Sequence, residues 1–101
     1  MSEKDPLTIE SAAAYKKLYA DLCAKNKSAV IDLGDIPAID LSGIQILVAA
    51  IREAIVMNRE IHFSGVLTEN FSAGIRLAGI TDQTCTSGED LENLIKAVFK
   101  V

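Results

Sequence analysis

The chain has 101 residues, half of them apolar and 24% charged, with a formal net charge of −4. That length holds one domain, residues 1–101, and the apolar share is enough for a core without staples and far from the composition of a disordered chain. Ten Lys and Arg scattered among 14 Asp and Glu form no basic patch, which argues against nucleic acid as a partner.

Cys23 and Cys85 lie far apart with no CxxC spacing and no neighbouring His cluster. They read as reduced thiols in or near the core, not as a zinc site or a disulfide framework. The amino terminus, MSEKDP, lacks the basic start and apolar stretch of a signal peptide, and no run is long enough to span a bilayer. A cytoplasmic protein without membrane insertion is expected.

In chain order, Tyr15, Leu18, Tyr19 and Leu22 recur at helical spacing and predict a first helix over about residues 11–25, ended by Asn26. Ser28 to Leu33, SAVIDL, is apolar nearly throughout and predicts a central strand covered on both faces. From Ser42 or Gly43 to Met57, the stripe Ile44, Leu47, Val48, Ile51 and Ile55 predicts a second helix. EIHFSGV, Glu60 to Val66, follows as a second central strand with Ile61 and Phe63 on one face.

Thr68 to Ala78 reads as a short helix with Phe71, Ile75 and Ala78 inward, ended by Gly79 in a left-handed cap with Ile80 as its hydrophobic contact. Asp82 to Thr86 predicts a short edge strand. Ser87 and Asp90 frame the start of a last helix carrying Leu91, Leu94, Ile95, Val98 and Phe99 inward. Alternation of strand and helix predicts an α/β domain with right-handed crossovers, a mainly parallel sheet and about four helices. Its core is expected to include Ile31, Phe63, Leu47, Ile51, Leu94 and Val98.

The segment AIDLSGIQIL, Ala38 to Leu47, leaves the first central strand at its carboxyl end, the edge where open parallel sheets meet ligands and partners. A serine there has two readings. Ser42, Gly43, Ile44 and Gln45 spell a capping box, in which Ser42 caps the helix and Gln45 reaches back to it. Alternatively, Ser42 is a point of modification.

The longer segment VIDLGDIPAIDLSGIQILVAAIREA, Val30 to Ala54, resembles the signature of the STAS family, the domain shared by sulfate transporters and anti-sigma factor antagonists. In that family an aspartate, two further residues, the second often a phosphorylatable Ser or Thr, and then a glycine follow the buried strand. Asp40, Leu41, Ser42 and Gly43 occupy those places. EIHFSGV is similar to the family's next strand and FSAGIRLAGI to its short helix, so the likeness runs over about residues 7–100. The implied fold is a STAS-like domain with a mainly parallel or mixed sheet of four to five strands. Family members usually open with a β-hairpin, and only Pro6 to Glu10 is available for it here, so the hairpin is shortened. That leaves a sheet edge on which a homodimer can form.

The resemblance implies a phosphorylation-switched regulator, like an anti-sigma factor antagonist. Its unmodified form binds a serine kinase that doubles as an anti-sigma factor, and a phosphatase restores binding. Ser42 is then the acceptor, Asp40 shapes the loop and Gly43 lets the partner approach. The contact surface is expected to comprise Asp35, Ile36, Ile39, Asp40, Leu41, Ser42, Gly43 and Ile44. Small STAS proteins also serve as non-catalytic subunits of ABC transporters for lipids, bound to the ATPase, and that alternative stays open.

Enzyme readings fail on the residues. Ser42, His62 and Asp40 lack the GxSxG elbow of a hydrolase triad, and His62 is the only histidine. Asp32, Asp35 and Asp40 do not fall in the order of a phosphoaspartate receiver. Neither GxxxxGKS nor GxGxxG is present to cradle a nucleotide, so no cofactor, metal or catalysis is expected.

Overall fold

A computed structural model describes residues 5–101; the first four residues of the amino-terminal segment discussed above lie outside them. Four helices and two strands follow in the order α1 (Ala12–Lys25), β1 (Ser28–Asp32), α2 (Leu41–Val56), β2 (Glu60–Ser64), α3 (Glu69–Leu77) and α4 (Gly88–Phe99). β1 and β2 pair in parallel with Ser28 opposite Glu60 and Asp32 opposite Ser64. The α/β class is therefore as expected, with fewer strands among the described residues.

Among the described residues, the expected sheet of four to five strands is represented by two strands and two isolated bridges, Leu7 to Ile39 and Val66 to Ser87. Residues 82–86 carry too few apolar side chains to hold a strand against a core, and they run irregularly. α4 takes the place of a third strand. Gly88 lies so close to the backbone of Ser64 that a Cβ there would sit 2.4 Å from the Ser64 carbonyl oxygen.

Burial in both strands alternates, with Ala29, Ile31, Ile61 and Phe63 inward and Ser28, Val30, Glu60 and His62 outward. β1 is thus covered on one face only, contrary to the two-sided expectation, because helices pack against a single face of the sheet. On the covered side Leu33, Ile36, Ile44, Leu47, Phe71, Ile75, Leu91 and Ile95 are fully buried. Burying each such side chain contributes about 1.5–3 kcal/mol.

α1 buries Tyr15, Tyr19 and Cys23, one stripe at i, i+4 and i+8, while Leu18 stays half exposed. Cys23 and Cys85 are both free and buried, and burial raises the pKa of each thiol. On α4 the stripe is Leu91 and Ile95 with Leu94 at its margin. Val98, expected in the core, is 43% exposed, and Phe99 and Val101 pack on the core at this end of the helix in its place. Gly79 has φ +81°, the left-handed stop read from its place after α3, and Ile80 packs on the core beside it. No helix among the described residues is long and apolar enough to cross a membrane.

Candidate functional site

The segment between β1 and α2 is clamped from two sides. On one side Leu7 N–H donates to Ala38 O and Asp40 N–H donates to Leu7 O. On the other, the Thr68 hydroxyl, which caps α3 by accepting from Phe71 N–H, lies 3.3 Å from the carbonyl oxygens of Ile36 and Pro37. Gly74 of α3 completes the clamp, since a Cβ there would lie 2.1 Å from Ile39 O. A loop held this way presents the start of α2 in one geometry.

Asp40, not Ser42, is the N-cap of α2. Its Oδ1 accepts from Gly43 N–H at 3.0 Å and its Oδ2 from Ile9 N–H at 3.2 Å. The capping box expected from Ser42 and Gln45 is therefore displaced by two residues, because an aspartate in extended conformation stands earlier and takes the Gly43 amide, so that the helix has already begun before Ser42. Leu41 and Ser42 become the first two helical residues. Ser42 is partly exposed, in a shallow groove that it shares with Lys16 of α1, Gln45 and Ile46.

Replacing Asp40 with Ala should cost about 1–2 kcal/mol in urea unfolding, from the lost cap and the orphaned Ile9 amide. Asp40→Asn should recover part of that loss, because one oxygen still accepts from Gly43.

Four of the eight residues expected at the surface are inside. Ile36, Ile39 and Ile44 are buried at 0%, 4% and 0% exposure, because each anchors the clamped segment to the core. Gly43 is buried as well. Its small size serves the approach of Leu7 and Ile39, not that of a partner: a Cβ would lie 2.0 Å from Leu7 O and 2.7 Å from Ile39 Cγ1. Asp35, Leu41, Ser42 and Asp40 remain at least partly exposed. Asp35 sits in the turn after β1 at φ +69°, a conformation that Asp tolerates better than most residues.

No protein-family model and no curated protein matches the sequence. The residues must speak for themselves. Two exposed apolar side chains near the junction escaped the sequence reading: Ile9, whose amide binds Asp40, and Val66, whose backbone flanks Gly34. Their signal is tertiary, since neither lies near Ser42 in the chain.

A second cluster lies at the outer edge of β2. Glu92 of α4 is 7% exposed; its Oε1 accepts from Phe63 N–H at 2.7 Å, while its Oε2 accepts from Lys96 Nζ at 2.8 Å and lies 3.2 Å from His62 Nδ1. Burial works to raise the Glu92 pKa, but Lys96, the Phe63 amide and His62 together hold it below the ordinary glutamate value. His62 is thus bound to a structural carboxylate on α4.

Proposed function

We propose that this domain is a STAS-like, phosphorylation-switched interaction module acting in the cytoplasm. Its unmodified form binds a protein partner, of the serine kinase and anti-sigma factor type, at the carboxyl end of β1. The observation that carries the reading is the Asp40-Leu41-Ser42-Gly43 junction, in which Asp40 supplies the cap and leaves Ser42 on the accessible first turn of α2. A serine engaged as the cap would be a poor substrate.

The contact surface consists of Asp35, Leu41 and Ser42 with the flanking Ile9 and Val66, each partly or fully exposed. Phosphate on Ser42 suits the folded protein, because the first-turn amides and the helix dipole favour an anion there. At the interface it does the opposite. It adds a charge of about −1.5 to −2 beside Asp40 and Asp35, so a partner seated on Leu41 and Ile9 meets repulsion and the cost of stripping water from the phosphate. The switch acts on binding while the fold persists.

Ser42→Ala should bind the partner, resist phosphorylation and unfold within about 0.5 kcal/mol of wild type, since Ser42 is not the cap. Ser42→Asp should be equally stable, yet bind the partner at least ~10-fold more weakly, a difference of about 1.4 kcal/mol in titration calorimetry. Equal binding of Ser42→Asp and wild type would contradict the switch and favour a constitutive scaffold subunit such as that of an ABC system.

A further inference from the structure

Between α1 and β1 runs a groove of about 410 Å³, a volume within the range of small-molecule sites. Its walls are largely apolar, with Leu18 and Leu22 contributed by α1 and Val30 by β1. Two tyrosines of α1 also line it, and their hydroxyls differ. Tyr15 is satisfied, since its O–H donates to Asp5 O. Tyr19 is only 3% exposed, yet its hydroxyl has no hydrogen-bond partner among the described residues. No enclosed side-chain oxygen or nitrogen among those residues lacks a partner, so an unpartnered hydroxyl has to reach open space, and the space that Tyr19 lines is this groove. Burial pushes the pKa of the phenol up, so it remains a neutral donor. What fills the groove completes its hydrogen bonding.

We infer that the groove binds a small uncharged molecule that has an apolar ring or short chain and one carbonyl oxygen, the apolar part against Leu18, Leu22 and Val30 and the oxygen accepting from the Tyr19 hydroxyl. The lining selects this class. Asp5 and Asp32 are among the lining residues and no Lys, Arg or His is, among the described residues, so a carboxylate or phosphate meets like charge and loses its water without a counter-ion. A pure hydrocarbon, at the other extreme, leaves the phenol without an acceptor. The groove at Ser42 runs along Ala12 and Lys16, on another side of α1, so this site stands apart from the proposed switch.

The test is a titration of the ¹⁵N-labelled full chain with acetophenone, ethylbenzene and benzoate, followed by the NMR shifts of backbone amides. Acetophenone should give saturable shifts centred on Leu18, Tyr19, Leu22 and Val30, ethylbenzene weaker binding at the same place, and benzoate none. Tyr19→Phe removes only the hydroxyl and should weaken acetophenone about 5-fold while leaving ethylbenzene unchanged. Val30→Lys, at a position 63% exposed and so tolerant of the change, puts a charge into the apolar wall and should abolish binding of both, with the circular dichroism of the wild type. Shifts that do not saturate or that centre elsewhere, benzoate bound as tightly as acetophenone, or a Tyr19→Phe chain that binds acetophenone like wild type would each overturn the inference.

Discussion

Glu92→Ala should lower stability by about 2–4 kcal/mol, a large fraction of the total for a domain of this size. Most of that loss comes from the Phe63 amide, which is buried and left without an acceptor, and from the space vacated beneath α4. Lys96 and His62 contribute less because both are roughly half exposed, at 41% and 51% of their side chains, where an ion pair is worth under about 1 kcal/mol. Lys96→Ala and His62→Ala should therefore each be mild. Urea unfolding of the three variants separates the backbone role of Glu92 from its ion pairs.

The same carboxylate sets an acid limit. Its pKa in the folded chain lies below the ordinary value of 4.5, so the unfolded chain binds the proton first. The stabilisation from Glu92 is fully present above about pH 5–6 and is lost as pH falls through 4.5 and on through the lower folded value. Thermal melts of wild type should fall over that window more steeply than those of Glu92→Gln.

Gly43→Ala is the second large effect expected. On an exposed helix, replacing Gly with Ala would gain about 1 kcal/mol of helix propensity. Here the new methyl would lie 2.0 Å from Leu7 O and 2.9 Å from Leu7 Cγ, and both belong to the segment that pairs with Ala38 and Asp40. Backbone oxygen cannot yield as a flexible side chain can. Either α2 shifts within the core or residues 5–9 leave it and expose the fully buried Leu7, at a net cost of about 2–3 kcal/mol. Hydrogen exchange should then show faster exchange at Leu7 and Ile9 than at β2.

Much of this architecture is legible in the residues. The stripe Ile44, Leu47, Val48 and Ile51 marks α2, and Ser87 with Asp90 marks the start of α4, because local spacing and capping chemistry decide both. Val30 shows the limit. An apolar run alone does not say which face a helix covers, so a strand read as buried on two sides is open on one. Glu92 is a harder case: its spacing to Lys96 is that of an ordinary solvated pair, and only the position of the Phe63 amide reveals its second role. At the junction the aspartate, serine and glycine were visible together, yet which one caps the helix depends on how the loop before Asp40 is held by Thr68 and Leu7. Ile36, Ile39 and Ile44, expected on the contact surface from their place along the chain, instead turn into the core.

The central claim is that Ser42 carries the control, and it is tested most directly by isolating the protein from its own cells and locating phosphate by tandem mass spectrometry. The account predicts phosphate on Ser42, in a form that melts like the unmodified protein and has lost its partner. Phosphate confined to other residues, or a Ser42-phosphorylated form that keeps its partner, would contradict it.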